Sequence, residues 1–174
     1  FVALTGCNDW LDVSPKADMK AEDLFGTEAG FRDALVGVYA LMCGTNSYGR
    51  DLTYGYLDVL AQYYNSPLKT TSSGYEHNFK NAAEYKYTEK TEESRISSIW
   101  SNHFSAVANI NQAMLFIDEN KGVFTSPEVH DVYKGEFLAL RAFLHFDILR
   151  LFAPSAAMNN NKGLDAVSYT HLTL

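Results

Sequence analysis

Tyrosine side chains are concentrated in one stretch of the chain. Of the eleven tyrosines in the 174 residues, eight lie between residues 48 and 87. A tyrosine has a flat apolar ring and a polar hydroxyl tip, while a sugar has C–H faces beside its hydroxyl groups. Ring stacking combined with hydrogen bonds from Asn, Asp or Arg therefore suits a glycan. The tyrosines of this stretch are Tyr48, Tyr54, Tyr56, Tyr63, Tyr64, Tyr75, Tyr85 and Tyr87.

Two other roles fit the same composition. Tyrosine rings can fill the core beneath a long loop, and tyrosine is also enriched at protein–protein interfaces. Polar residues interleave with the rings, namely Arg50, Asp51, Asp58, Gln62, Asn65, Asn78 and Asn81. The candidate ligand-binding residues are Tyr54, Tyr63, Tyr64, Asn65, Tyr75 and Asn78.

The start of the chain carries a second chemical signal, because Leu4-Thr5-Gly6-Cys7 has the form of a lipobox. Cleavage before Cys7 and acylation of its thiol would make residues 1–6 the end of a signal peptide and residues 7–20 an extended lipidated leader. More than one acyl chain anchors stably, at about 0.8 kcal/mol per buried CH₂. The alternative is a small buried cysteine near an ordinary N-terminus.

Motifs for catalysis, metal binding or nucleotide binding are absent from the sequence, which lacks G-x-S-x-G, H-E-x-x-H, a Walker loop and G-x-G-x-x-G. The five histidines are scattered, and we expect His103 and His145 to pack on apolar helix faces. The net charge of −7 without a basic patch disfavours a nucleic-acid ligand. The sequence thus predicts no enzyme, no cofactor and no metal site.

Charged residues on the last helical segment do not form an acid–base pair. Catalysis of that kind needs carboxylates facing each other across a cleft, and a single helix cannot provide this geometry. We expect ion pairs between packed helices instead, and a hydrogen bond from Asn111 to a neighbouring helix. The charged residues are Glu136, Arg141, Asp147 and Arg150.

Composition and periodicity predict an all-α fold. The apolar fraction of 47% is ample for a core, and no apolar run reaches the 18 or so residues of a membrane span. Apolar residues at helical spacing predict one turn over 21–25, helices over 28–43 and within 52–64, and two long helices over 92–120 and 127–152. A short connection makes the last two an antiparallel hairpin. Cys43 is expected to be a small, unpaired core residue.

Several motifs together resemble the SusD/RagB family of outer-membrane lipoproteins of Bacteroidota, over roughly residues 4–169. The motifs are Cys7, Asp9-Trp10-Leu11-Asp12-Val13, Pro15, Glu22-Asp23-Leu24-Phe25, Phe31, Ala34-Leu35, Gly37, Tyr39, Ile99-Trp100, Asn111, Gly135-Glu136, Leu140-Arg141-Ala142-Phe143 and Phe146-Asp147-Ile148-Leu149-Arg150-Leu151-Phe152.

The resemblance implies a fold of TPR-like helical hairpins, with residues 21–163 as the SusD-like N-terminal helical domain. It implies a surface-exposed, lipid-anchored protein that binds oligosaccharides or other nutrients. Such a protein partners a SusC-like TonB-dependent transporter in polysaccharide uptake. Residues 164–174 are expected to be a truncated or artefactual tail. The alternative function is a helical protein- or peptide-binding module at the outer membrane.

The lipobox generates a test of anchoring. With the full signal peptide in place, Cys7→Ala removes the acylated thiol, so we expect the protein to leave the membrane fraction. Fractionation of cells followed by immunoblotting measures this, and Cys43→Ala serves as the matched control that retains the anchor. Sedimentation of Cys7→Ala with membranes would contradict the lipobox interpretation.

Overall fold

The computed structural model describes residues 20–64 and 78–153. All regular structure within these ranges is helical, and no strand occurs there. None of the helices in these ranges is both long and apolar enough to cross a bilayer. The helices are α1 (Ala21–Leu24), α2 (Glu28–Met42), α3 (Tyr56–Leu60), α4 (Lys80–Ala83), α5 (Lys90–Ile117) and α6 (Pro127–Phe152), with a 3₁₀ turn at Lys121–Val123.

The starts of α2 and α6 are fixed by side-chain caps. Thr27 Oγ1 accepts a hydrogen bond from the Gly30 amide, and Ser126 Oγ accepts one from the Val129 amide. These bonds satisfy amides that have no partner within a first helical turn. Pro127 at the first position of α6 loses no hydrogen bond, because its missing N–H would have been unpaired there.

Helices α2, α5 and α6 pack side by side around one core. Asn102 on α5 donates to the Leu41 carbonyl, whereas Asn120, beyond the far end of α5, donates to the Phe25 carbonyl, so α2 and α5 are antiparallel. Arg141 on α6 donates to Asn111 on α5 at 3.1 Å. The sequence prediction that Asn111 bonds a neighbouring helix is confirmed.

The hairpin of α5 and α6 is antiparallel as expected. Lys134 near the start of α6 lies 2.7 Å from Asp118, just after α5, while Tyr48 joins Asp147 near the end of α6 and His103 in α5. The shared core contains fully buried residues from all three long helices: Phe31, Val38, Val107, Ile110, Ile117, Phe137 and Leu144. A second cluster packs α3 and α4 on α5 through Leu52, Tyr56, Val59, Phe79, Ala82 and Ile99.

The predicted helix within 52–64 is much shorter than expected. Only Tyr56–Leu60 is helical, and Gln62 then adopts a φ of 58°. A left-handed residue cannot continue an α-helix. A longer helix would place Ala61 and Tyr64 on one face with Leu57 and Leu60, but both residues are exposed here.

Three further expectations about packing are corrected. Cys43 caps the C-terminus of α2 and is exposed, so it is not a core residue. Val132 and Phe146 face outward from α6, although their helical spacing from the other apolar residues of this segment predicts that they pack. The predicted ion pairs between helices are instead hydrogen bonds, such as that from Tyr39 to Glu136, or a pair within α6 between Arg150 and Asp147.

Several predictions lie outside the described residues. They concern Cys7, Asn65, Tyr75, the leader at 7–20 except for its last residue, and the tail at 164–174. The proposed boundaries of the helical domain also stay predictions.

Two glycines of α2 provide a test of this packing. A Cβ atom on Gly30 would overlap the Leu24 carbonyl oxygen, whereas one on Gly37 meets nothing within 4 Å. Gly30→Ala should therefore lower the free energy of unfolding by about 1–3 kcal/mol. Gly37→Ala, the matched control, should raise it by about 0.5–1 kcal/mol, because alanine favours helix. Urea denaturation measures both, and equal effects would contradict the tight junction of α1 with α2.

Candidate functional site

Five tyrosines around α3 and α4 keep their rings open to solvent. They form what we call the tyrosine surface, which consists of Tyr54, Tyr63, Tyr64, Tyr85 and Tyr87. Tyr63 is the most open, with 75% of its surface exposed. Large exposed aromatic rings are costly to leave in water, so a cluster of them marks a surface that contacts a ligand or partner.

Backbone carbonyl groups hold two of these rings in place. The Tyr54 hydroxyl donates to the Gly49 carbonyl at 3.0 Å, and the Tyr64 hydroxyl donates to the Tyr54 carbonyl. The Tyr63 backbone amide donates to the backbone carbonyl of Asp58 in α3. The hydroxyl groups of Tyr54 and Tyr64 therefore fix the rings, while the ring faces stay available.

The remaining two tyrosines approach the same end of α3 from the segment after α4. The Tyr85 hydroxyl donates to the Leu60 carbonyl at 3.0 Å, and Gln62 Nε2 donates to the Ala83 carbonyl at 3.2 Å. Gln62 and Tyr85 both have positive φ, at 58° and 54°. Residues other than glycine rarely adopt this backbone conformation. The two hydrogen bonds stabilise it in Gln62 and Tyr85. Tyr87 borders an apolar cavity of about 390 Å³ beside α3.

Next to the tyrosine surface lies a cluster of two arginines around one buried carboxylate. Asp51 is only 1% exposed. Arg50 donates to it through Nε at 2.7 Å and Nη2 at 3.3 Å, and Arg95 donates through Nη1 at 3.3 Å. Arg95 also donates to the side-chain oxygen of Asn78 at 3.0 Å. The cluster thus joins the loop after α2, the segment before α4, and α5.

Aromatic rings cover the guanidinium of Arg95. Its central carbon lies 4.5 Å from the ring centroid of Phe79 and 5.7 Å from that of Tyr56. Arg50 lies 5.4 Å from the Phe79 ring. A cation over a ring face is attracted by the ring quadrupole, so Phe79 stabilises both arginines in this arrangement.

Glu92 lies behind Arg95 and is fully buried. Neither of its carboxylate oxygens has a hydrogen-bond partner among the described residues, and the nearest cation is Arg95 Nε at 3.6 Å. Burial raises the pKa of the Glu92 carboxyl, and the charge of Arg95 only partly opposes this.

A second polar network fastens the loop after α2 to the long helices. The Tyr48 hydroxyl donates to Asp147 at 2.5 Å and lies 3.4 Å from Nε2 of His103. His103 Nδ1 donates to the Ile99 carbonyl at 2.9 Å, and Arg150 donates to Asp147 at 2.7 Å. Burial, reinforced by the hydrogen bond to Asp147, raises the pKa of Tyr48. This network accounts for the buried position predicted for His103.

The structure brings together some of the residues predicted from the sequence. Tyr54, Tyr63 and Tyr64 share the tyrosine surface, whereas Asn78 belongs to the arginine cluster. The sequence prediction omitted Tyr85 and Tyr87, although the interleaving of aromatic and polar residues continued through them. It also omitted Arg95, which gave no signal because a charge on a helix usually faces solvent. Groups of three or more His, Cys, Asp or Glu that could hold a metal are absent from residues 20–64 and 78–153.

Comparison with known proteins places the chain in a family. Residues 9–173 match the model of a SusD-like family described as starch-binding and associating with the outer membrane. The chain therefore belongs to the SusD-like family, whose members are outer-membrane-associated binding proteins and not enzymes. The all-α expectation is confirmed for the described residues.

A curated relative is the SusD-like protein P2 of Formosa agariphila, which is 27% identical over 177 aligned residues. The alignment covers 98% of this chain and 32% of the relative, so the chain spans about a third of that protein's length. No solved structure matches the chain significantly.

The burial of Glu92 predicts a pH-dependent effect on stability. The folded-state pKa is raised, so this carboxyl favours folding below its ordinary pKa of 4.5 and loses that contribution as the pH rises. Glu92→Gln removes the buried charge and should raise the free energy of unfolding at neutral pH. Well below pH 4.5 the difference from the parent protein should disappear, because Glu92 is then protonated in both the folded and the unfolded state.

Urea denaturation at the two pH values measures this effect. Glu93→Gln is the matched control, since Glu93 is the exposed neighbour on α5 and should change stability by less than about 0.5 kcal/mol. If Glu92→Gln raises the free energy of unfolding equally at both pH values, the result contradicts a raised pKa for Glu92.

Proposed function

We propose that this protein is a cell-surface lipoprotein that binds glycans and partners a SusC-like TonB-dependent transporter in polysaccharide uptake. The observation that carries the proposal is the tyrosine surface in a SusD-like chain. Five exposed rings stand beside polar groups, in place of the buried rings that a purely structural role would require.

The chemistry of this surface suits sugars better than flat apolar partners. Tyr63 offers an open ring face, and its neighbours Tyr54 and Tyr64 are held by backbone hydrogen bonds. Pre-ordered rings lose little conformational entropy on binding. Asn78 and Arg50 supply hydrogen-bonding groups nearby, so a sugar can stack on a ring and bond through its hydroxyl groups.

The outer face of α6 supports the partner in this proposal. This face, which we call the α6 outer face, consists of Val132, Leu138, Phe143 and Phe146, and all four are exposed. Phe146 alone leaves 60% of its surface open. Large apolar side chains exposed along one helix favour contact with another protein surface. The transporter is the partner that we propose for it, since the family resemblance implies that the helical hairpins face that protein.

The same face favours the second candidate, a helical protein- or peptide-binding module at the outer membrane. That candidate needs no glycan, so the two differ in whether the tyrosine surface binds sugar. Anchoring at the surface rests on Cys7 and on the family's association with the outer membrane.

Affinity electrophoresis against plant, host and microbial polysaccharides tests the glycan proposal. We expect retardation in at least one gel. Tyr63→Ala should weaken binding about fivefold or more, because a stacked ring at the centre of a site commonly contributes above about 1 kcal/mol. Tyr39→Ala is the matched control, since Tyr39 is also exposed but lies on α2 and bonds Glu136.

Binding of the transporter is measured by co-purification from detergent-solubilised outer membranes of cells that produce each variant. Tyr63→Ala should keep the transporter, because the tyrosine surface and the α6 outer face lie on different elements. If no polysaccharide retards the protein while the transporter still co-purifies with it, glycan binding is rejected and the protein-binding candidate is favoured. If Tyr39→Ala weakens glycan binding as much as Tyr63→Ala does, the tyrosine surface is not the glycan-binding site.

A further inference from the structure

A polar cleft opens at the arginine cluster, beside the tyrosine surface. It encloses about 270 Å³ and is lined by Arg50, Asp51, Asn78, Arg95 and hydroxyl groups of α5. This volume is close to the lower limit of about 300 Å³ for small-molecule sites, which suits one sugar ring. Tyr54 connects the cleft to the tyrosine surface, because its hydroxyl bonds the Gly49 carbonyl next to Arg50.

The lining of the cleft has more positive charge than negative charge. Two guanidinium groups meet a single carboxylate, that of Asp51. Both oxygens of Asp51 are already engaged, through three hydrogen bonds from Arg50 and Arg95. Glu92 does not line the cleft, but its carboxylate lies 3.6 Å from Nε of Arg95.

The neutral groups of the cleft add hydrogen-bond donors. Asn78 Oδ1 accepts from Arg95 at 3.0 Å, which leaves the Asn78 amide NH₂ as a donor. Thr91 Oγ1 accepts from Asn81 at 3.1 Å, which leaves the Thr91 hydroxyl hydrogen as a donor. A site rich in donors is matched by a ligand rich in acceptors.

We propose that this cleft binds the anionic group of an acidic sugar, a carboxylate or a sulfate, within the glycan that stacks on the tyrosine surface. The inference rests on the proposed function and narrows its ligand class to anionic polysaccharides. Asp51 accepts from Nε and Nη2 of Arg50, and the other edge of this guanidinium, formed by Nη1 and Nη2, suits the two oxygens of such a group. The side chain of Arg50 is one-third exposed, so an incoming ligand can reach it.

Matched pairs of ligands test this inference on the purified protein. One pair is oligogalacturonate and its fully methyl-esterified form, and the other is a sulfated galactan oligosaccharide and its desulfated form. Isothermal titration calorimetry should show that the charged member of at least one pair binds about tenfold more tightly, as a charge-assisted hydrogen bond predicts. High salt should reduce that preference. The pair that responds distinguishes carboxylate from sulfate.

Arg50→Gln should abolish the preference for the charged member, so that the ratio of the two dissociation constants falls to about one. Arg32→Gln changes the net charge equally at an exposed position on α2 and should keep the preference. Circular dichroism checks folding. If Arg50→Gln does not fold, Arg50→Lys replaces it and should lose part of the preference, because lysine cannot form a bidentate contact.

The outcomes separate this inference from the proposed function. Equal binding of charged and neutral members, with dependence on Tyr63, overturns the anionic site and leaves glycan binding intact. A charge preference that persists in the Arg50 variant also overturns it. Binding of no glycan at all overturns both.

Discussion

The buried ion pair between Asp51 and Arg95 is the contact on which the candidate site depends. It joins the loop after α2 to α5 across 44 residues of sequence. Burying charges is costly unless they are paired and hydrogen-bonded. Arg50, Asn78 and the Phe79 ring complete the pairing. The loop is therefore held in one position, and the tyrosines that follow it are presented from a fixed base.

The three long helices provide the frame for this contact. Because α5 packs against both α2 and α6, it carries a continuous buried face from Ile99 to Ile117. The first turns of α5 extend beyond the common core and hold Glu92 and Arg95. The two parts of α5 therefore have different structural roles in this chain. One end organises polar loops, and the remainder supports the bundle whose α6 outer face is open.

Local signals predicted the helices because caps and periodicity act over a few residues. Thr27, Ser126 and Pro127 mark where α2 and α6 begin, and the spacing of apolar residues indicates their inner faces, with Val132 and Phe146 as exceptions. The same reasoning failed for α3, where the pattern continued past Leu60 but Gln62 took a left-handed conformation stabilised by a bond to Ala83. That bond spans 21 residues and leaves no local trace. Cys43 was misplaced because it caps the C-terminus of α2, where the helical periodicity no longer applies.

The sequence by itself determined the helical class, the family and the concentration of tyrosines, because each depends on residue types and short spacings. Only the tertiary structure decided which rings stay open. It buried Tyr56, half-buried Tyr48 in the network with Asp147, and left five others exposed. It also assembled Arg50, Asp51 and Arg95 into one cleft. These arrangements arise from contacts between distant segments, and the free energy of those contacts must exceed the entropic cost of closing the intervening loops. Residue spacing along the sequence does not show which distant segments make such contacts.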